Sequence, residues 1–183
     1  MSERPATERT IAMDHLLILC TGNATRSVIA GAVLRNHLPD VEIATAGTLS
    51  IDGLPMSWRT RAGFDAIGVA APNHRSRQAR AEDLDHATLV IGLAPEHVEW
   101  VRREHPTAAA RAATLTRLVH HLAADGRPLA ARVAELDLAR AELGPWEEVV
   151  DPGGGEVEAF TACAREVGNL VDALVPRLRT VPR

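Results

Sequence analysis

The sequence of 183 residues is poor in aromatic side chains and in cysteine. It contains no tyrosine, so tyrosine phosphorylation cannot regulate this chain itself. Its two cysteines, Cys20 and Cys163, are too few for a disulfide framework and are typical of a reducing compartment. Neither C-x-x-C nor H-E-x-x-H spacing occurs, and we therefore expect neither a metal site nor a cofactor.

Long apolar runs are also missing, and the charge balance is only mildly acidic. No run approaches the length of a membrane-spanning helix, and residues 1–13 lack the apolar core of a signal peptide. A net charge of −4 gives no general reason to expect binding to nucleic acid or to a membrane. We therefore expect a cytoplasmic protein with a disordered lead-in over residues 1–13 and one domain over residues 14–183. The sequence does not indicate an oligomeric state.

The most informative stretch is Cys20–Ser27, with the sequence CTGNATRS. A strand-length apolar run at residues 15–19 precedes it, and a helical pattern at residues 28–35 follows it. The first turn of a helix leaves N–H groups without partners and favours an anion, and a loop of inward-pointing amides adds donors. Gly22 suits such a loop because it has no Cβ, and Asn23 suits it because asparagine tolerates positive φ.

Arg26 adds to this loop a planar fork that can hold two phosphoryl oxygens at once. The same donors favour the thiolate of Cys20, because a thiolate is also an anion. A buried core cysteine beside a surface arginine would give the same C-x5-R spacing by chance, but the strand, glycine and helix around it favour a phosphate-binding loop. The residues expected to bind phosphate are Thr21, Gly22, Asn23, Ala24, Thr25 and Arg26.

Strand and helix patterns alternate along the rest of the chain, which predicts an α/β domain with a parallel sheet. In such sheets ligands bind beyond the C-terminal ends of strands, where Cys20 is expected to lie. The predicted strands are 15–19, 41–46, 88–93 and 112–116. The predicted helices are 28–35, 58–67, 81–86, 95–105, 118–122, 129–143 and 156–178.

Four later segments follow CTGNATRS in a recognisable order: TAGT at Thr45–Thr48, HRSRQ at His74–Gln78, the apolar run LVIGL, and DPGGG at Asp151–Gly155. With these segments the chain resembles the low-molecular-weight protein tyrosine phosphatases, together with the arsenate reductases built on the same fold. The resemblance extends over nearly all of the chain beyond residue 14. It implies a single domain with a four-stranded parallel sheet flanked by helices and a phosphate-binding loop after the first strand.

The resemblance implies catalytic roles for three residues. Cys20 would attack phosphorus and form a phosphocysteine. Arg26 and the loop amides would hold the equatorial oxygens in the transition state. Asp151 would protonate the leaving oxygen and then take a proton from the attacking water. Taken alone, Asp151-Pro152 is equally typical of an ordinary turn.

The resemblance also implies three supporting residues, Ser27, Thr45 and His74. Ser27 would donate a hydrogen bond to the Cys20 sulfur, although a serine there is also a common helix-start residue. Ser27, Thr45 and His74 together would hold Asn23 and so fix the loop in its strained curl.

The substrate mouth departs from the family pattern. Relatives usually carry an aromatic residue after Asp-Pro, where this chain has Gly153, and many carry another after TAGT, near Leu49. Such aromatic side chains sandwich a phosphotyrosine ring, so their loss should weaken ring recognition. Relatives also often carry a second loop cysteine where this chain has Thr25, so a disulfide within the loop is excluded.

We therefore expect a hydrolase of phosphomonoesters that acts on a phosphotyrosine protein or on a small aryl or alkyl phosphate. Arsenate reduction by the same loop is an alternative, but it needs resolving thiols, and only Cys163, beside the apolar stripe of the last helix, is available. An external thiol could replace that relay. The other alternative is a non-catalytic phosphate-binding module, and the presence of Cys20, Arg26 and Asp151 argues against it.

Overall fold

The computed structural model describes residues 14–179. The predicted disordered lead-in, residues 1–13, lies outside the described residues. The strands are β1 His15–Cys20, β2 Glu42–Gly47, β3 Leu89–Gly92 and β4 Ala112–Thr114. The α-helices are α1 Arg26–His37, α2 Trp58–Ala66, α3 Ala81–His86, α4 Pro95–Glu104, α5 Leu115–His121, α6 Leu129–Ala134 and α7 Val157–Leu178. Two short 3-10 helices span Pro106–Arg111 and Pro145–Glu147.

The four strands form one parallel sheet in the order β2-β1-β3-β4. In the β1–β2 pair, His15 lies opposite Glu42 at one end, and Cys20 lies opposite Gly47 at the other. The predicted α/β fold with a four-stranded parallel sheet is confirmed. Cys20 therefore lies at the C-terminal edge of the sheet, at the end of β1, which is one of the two central strands.

Alternate residues of β1 pack into two different hydrophobic cores, one on each face of the sheet. Leu16, Ile18 and Cys20 join the larger core, which contains buried side chains of α1, α2, α5 and α7. Leu17 and Leu19 join the smaller core, formed with α3 and α4. This burial on both faces explains why β1 reads as an unbroken apolar run.

None of the helices within residues 14–179 is both long and apolar enough to cross a membrane. This includes α7, whose buried stripe of residues packs against α1, α2 and α5.

The predicted helix over residues 129–143 is wrong in its second half. Helix α6 ends at Ala134, and Asp137 has a φ of +45°, which a right-handed helix cannot accommodate. Arg102 of α4 donates hydrogen bonds to the carbonyls of Leu138 and Ala141, at 2.5 and 2.8 Å. These tertiary contacts satisfy carbonyls that a continued helix would have paired internally.

Candidate active site

The candidate site is built on the loop between β1 and α1. Cys20 is the last residue of β1 and Arg26 is the first residue of α1. Thr25 precedes the helix without giving a side-chain hydrogen bond to its first turn, which contains no acidic residue. The N–H groups of that turn therefore have no side-chain cap and no competing carboxylate of their own helix, as an anion site requires.

The Cys20 sulfur lies at the base of this loop, 3.0 Å from the hydroxyl oxygen of Ser27. Both residues are buried. Ser27 also accepts a hydrogen bond of 3.0 Å from Nδ2 of Asn23. With its oxygen occupied as an acceptor, the Ser27 hydroxyl is free to donate its proton to the sulfur.

Asn23 has a φ of +50° and is fully buried, as its predicted role in a tight curl requires. Its backbone oxygen lies 2.7 Å from Nε2 of His74, and its side-chain oxygen accepts from the N–H of Arg77 at 3.1 Å. Together with Ser27, these groups hold a residue whose backbone conformation is unfavourable for most side chains. Burial lowers the pKa of His74, which favours the neutral ring.

Thr45 does not belong to this network in the described part of the chain, contrary to the resemblance. Thr45 lies in β2 on the same face as Ile43, because side chains alternate along a strand. Its methyl group lies against Gly31 of α1, where an added Cβ would come within 2.5 Å of it. The backbone N–H of Arg77 takes the position beside Asn23 that the resemblance gave to Thr45.

The glycine that the loop geometry requires is Gly47, not Gly22. Gly22 has no left-handed φ, and a Cβ there would meet only Ala24, at 4.0 Å. A Cβ on Gly47 would lie 2.6 Å from the carbonyl oxygen of Thr21, since the TAGT segment runs directly beneath the loop. Within that segment, Thr48 and Leu49 donate backbone hydrogen bonds to the carbonyls of Cys20 and Thr21.

Gly47→Ala is therefore expected to lower both stability and turnover. The new methyl group would push the loop away from β2, and overpacking of this kind typically costs about 1–3 kcal/mol. Urea unfolding followed by circular dichroism measures the loss. Gly22→Ala is the matched control and should change the free energy of unfolding far less; equal losses would contradict the assignment of the close contact to Gly47.

Arg26 and Asp151 meet at the mouth of the loop. Nη2 of Arg26 lies 2.6 Å from Oδ2 of Asp151, and Nη1 donates to the carbonyl of Val149 at 3.1 Å. The Arg26 side chain is 3% exposed and that of Asp151 is 53% exposed. The guanidinium is thus fixed, while its carboxylate partner lies at the surface, where an entering anion can replace it.

The segment that carries Asp151 is anchored by an ion pair that the sequence did not reveal. Glu147, fully buried, lies 2.6 Å from Nη2 of Arg117 and accepts from the hydroxyl of Thr114 at 2.6 Å. Burial alone would raise the pKa of Glu147, but these hydrogen bonds hold it below its usual value. The N–H of Val149 then donates to the carbonyl of Leu93, the residue that follows β3, which brings Asp151 over the loop.

Thr21 connects the loop to α4 through Glu96 and His97. Its hydroxyl donates to Oε1 of Glu96 at 3.2 Å and lies 3.1 Å from Nε2 of His97. Burial, with a further contribution from the Arg26 charge, lowers the pKa of His97 to about 3. The ring is therefore neutral at pH 7. No sequence pattern indicates this contact, because Thr21 and His97 are far apart in the chain.

Stability at acidic pH provides a test of the buried His97. Its pKa is about 3 in the folded protein, against an ordinary value of 6.5 in the unfolded chain, so the unfolded chain binds the proton more readily. The contribution of His97 is full above pH 6.5 and declines as the pH falls toward 3. Between pH 7 and 5 we expect the free energy of unfolding to fall by about 2 kcal/mol because of His97, and this fall should be absent in His97→Gln. Urea unfolding of both proteins measures this difference; a difference independent of pH would contradict the burial of a neutral ring.

Of the two predicted mouth residues, Leu49 is 80% exposed and Gly153 lies directly beside the Asp151 carboxyl. The N–H of Gly153 donates to Oδ1 of Asp151 at 2.9 Å. A Cβ at Gly153 would lie 3.1 Å from that oxygen, a tight contact. The neighbouring Ser50 donates to the carbonyl of Gly22 at 2.9 Å and was missed by the sequence reasoning.

Two remaining residues bear on the alternatives. The hydroxyl of Thr25 lies 2.9 Å from that of Thr60 in α2, so this side chain joins the loop to a neighbouring helix. Cys163 of α7 is buried in the larger core, and burial raises the pKa of its thiol to about 12. A protonated, buried thiol is a poor nucleophile, since the thiolate is the reactive form.

A parallel α/β sheet with a cysteine and an arginine at a helix-opening loop, and an aspartate of a later segment paired with that arginine, is typical of a phosphatase-like hydrolase. The family model "Low molecular weight phosphotyrosine protein phosphatase" matches residues 15–130, and the chain belongs to this family. The enzyme class predicted from the sequence, a protein-tyrosine-phosphatase-like hydrolase, is confirmed by this match and by the named relatives.

Two curated relatives cover nearly all of the chain. A protein-arginine-phosphatase of Geobacillus stearothermophilus is 30% identical over 167 residues, which is 91% of this chain and 97% of the relative. The probable low molecular weight protein-tyrosine-phosphatase EpsP of Ralstonia nicotianae is 25% identical, with 91% and 97% covered. The solved structure of the YwlE arginine phosphatase from G. stearothermophilus aligns with a TM-score of 0.72 and 28% identity, covering 90% of this chain and 92% of that one.

Proposed function

We propose that this chain removes phosphoryl groups from phosphorylated proteins through a phosphocysteine on Cys20. The observation that best supports this proposal is the position of the Arg26 guanidinium, which is buried at the loop and pairs with the surface carboxylate of Asp151 at 2.6 Å. In this mechanism Cys20 has the role of nucleophile, Arg26 that of anion clamp and Asp151 that of acid–base group. The mechanism explains all three residues together, which a non-catalytic phosphate-binding module does not.

The first half of the reaction would begin with exchange of ion-pair partners. A substrate phosphoryl group enters the loop, and its oxygens replace Asp151 on Nη2 of Arg26. The Asp151 carboxyl, released from Arg26, is then available to act as the general acid. The Cys20 thiolate attacks phosphorus, the S–P bond forms as the bond to the leaving group breaks, and Asp151 gives its proton to the leaving atom.

The second half would return the enzyme to its starting state. Asp151 takes a proton from a water molecule that attacks the phosphocysteine, and inorganic phosphate forms as the S–P bond breaks. The electron pair returns to the Cys20 sulfur, where the hydroxyl of Ser27 at 3.0 Å stabilises the thiolate. A reduced cysteine is needed throughout, which fits action in the cytoplasm.

Phosphotyrosine and phosphoarginine are the two candidate side chains. The open mouth beside Gly153 provides no aromatic wall at that position, whereas Glu96 presents an exposed carboxylate next to Thr21 of the loop. A guanidinium group would be attracted to this carboxylate, and the relative from G. stearothermophilus is named a protein-arginine-phosphatase. These features favour phosphoarginine, with phosphotyrosine and small phosphate esters as the alternatives.

The test is a comparison of kcat/KM for one preparation over phosphoarginine, phosphotyrosine and phosphoserine peptides, a simple aryl phosphate and arsenate. We expect the highest value for phosphoarginine, a lower one for phosphotyrosine, and none for arsenate reduction with a small external thiol. A clear preference for phosphotyrosine would reject phosphoarginine as the main substrate. Turnover of none of the phosphorylated compounds would reject the proposed phosphatase activity.

Gly153→Tyr should shift this preference toward phosphotyrosine. A new aromatic wall stacked on a substrate ring contributes about 0.5–1.5 kcal/mol, a fall of about 2- to 10-fold in KM. Since an added Cβ lies 3.1 Å from Asp151, Gly153→Ala is the control for crowding of that carboxylate. The prediction fails if Gly153→Ala and Gly153→Tyr change KM for aryl and phosphoarginine substrates equally.

A further inference from the structure

A second cluster of chemically capable side chains lies at the edge of the sheet opposite Cys20. His15 begins β1, Glu42 begins β2 directly across from it, and His86 ends α3. One ligand atom from each of the three residues falls within 4.8 Å of the other two. Two imidazoles and one carboxylate thus converge at a place that the proposed phosphatase chemistry does not use.

His15 is the central member of this cluster. Its Nδ1 lies 3.0 Å from Oε2 of Glu42, yet this buried nitrogen has no partner in hydrogen-bond geometry within the described chain. Its backbone N–H bonds to the hydroxyl of Thr88 at 3.2 Å, which fixes the start of β1. The ring of His86 lies with its centroid 3.9 Å from that of His15, at an interplanar angle of 56°. The tilted rings bring a second imidazole nitrogen toward the same point.

A cavity of about 330 Å³ adjoins these three residues. Its lining includes the carboxylates of Glu82 and Asp83 in addition to Glu42. Asp83 is paired with Arg77, at 2.8 Å, whereas Glu82 is exposed. The cavity therefore offers room for solvent and an excess of negative charge around the two histidines.

We propose that His15, Glu42 and His86 bind one divalent transition-metal ion of the Zn²⁺ type. Imidazole and carboxylate are preferred ligands of Zn²⁺, with metal–ligand bonds of about 2.0–2.2 Å. In tetrahedral geometry such bonds place ligand atoms about 3.3 Å apart, so the 3.0 Å pair already fits and His86 closes by rotation of its exposed side chain. Water from the cavity supplies the fourth ligand.

From the sequence alone we expect no metal site, because the short ligand spacings C-x-x-C and H-E-x-x-H are absent. Here the ligands come from two strands and a helix, and only parallel pairing of β1 with β2 brings the first two together. Binding would cross-link the N-terminal ends of β1 and β2 to the C-terminal end of α3. A ligand that binds the folded chain and not the unfolded one raises its stability.

The test uses the full chain carrying Cys20→Ser, so that the proposed nucleophile cannot bind the metal. Isothermal titration with Zn²⁺, absorption spectroscopy with Co²⁺ and thermal unfolding with and without Zn²⁺ are the readouts. We expect one equivalent of Zn²⁺, the visible bands of tetrahedral Co²⁺ and a raised Tm. His86→Ala is expected to lower the affinity by about tenfold or more, and Glu42→Gln to lower it similarly.

His120→Ala is the matched control, because it removes an exposed histidine of α5 that packs on Trp146 and is not part of the proposed metal site. It should leave the affinity and the Tm increase unchanged. His86 is exposed at a helix end, so its replacement should preserve the far-ultraviolet circular dichroism spectrum. Absence of binding, or equal affinity in the His86→Ala and parent proteins, would overturn the metal site. Neither result would bear on the phosphatase proposal.

Discussion

Cys20→Ser is expected to abolish turnover while phosphate binding is retained. A serine hydroxyl in this position is a far weaker nucleophile than a thiolate, and removal of a nucleophile typically costs about 10⁴-fold or more in kcat. The groups that hold the phosphoryl oxygens, Arg26 and the first-turn amides of α1, are unchanged by the substitution. Binding and chemistry should therefore separate in this variant.

Initial rates with an aryl phosphate measure the loss, and isothermal titration with inorganic phosphate or vanadate measures the retained binding. Cys163→Ser is the matched control, because that thiol is buried in the core and protonated. It should leave kcat/KM within about twofold, since the reactive form of a cysteine is the thiolate. Retained turnover in Cys20→Ser would remove Cys20 as the nucleophile, and loss of an arsenate reductase activity in Cys163→Ser would restore the reductase alternative.

The local structure of the first loop could be predicted because its determinants lie within one short stretch of the chain. An apolar strand, a loop residue with a positive φ at Asn23 and a helix that opens at Arg26 are all properties of short segments. The parallel sheet could likewise be predicted, because strands buried on both faces read as continuous apolar runs. The residue pattern and the resemblance both predicted four strands, and the structure confirms that number.

The contacts that position this loop could not be read in the same way, because each joins distant segments. Gly47 is needed because an added Cβ would lie 2.6 Å from both the carbonyl oxygen of Thr21 and the Cβ of Ser50. The buried pair of Glu147 with Arg117 is likewise a product of tertiary packing, and the sequence around it has no distinguishing pattern. The role of Thr45 is different: strand alternation, a local property, places its methyl group against Gly31 of α1, and the resemblance did not take this direction into account.

Asp151→Asn is expected to have two opposite effects, which together distinguish an acid–base role from a structural one. An amide cannot donate the proton that a poor leaving group needs, so kcat for alkyl phosphates should fall by about 10²- to 10⁴-fold. Aryl phosphates with acidic leaving groups need that proton less and should be slowed much less in the step that forms phosphocysteine. A plot of log rate against leaving-group acidity should therefore become steeper.

The same substitution should tighten the inhibition by phosphate and vanadate. In the free protein, Oδ2 of Asp151 lies 2.6 Å from Nη2 of Arg26 and competes with an entering oxyanion. Asparagine lacks this charge, so Arg26 becomes available without loss of an ion pair. Glu148→Gln is the control, because it neutralises an exposed carboxylate on the same segment. Equal slowing of good and poor leaving groups, with weaker phosphate inhibition, would indicate that Asp151 only supports the loop and does not transfer the proton.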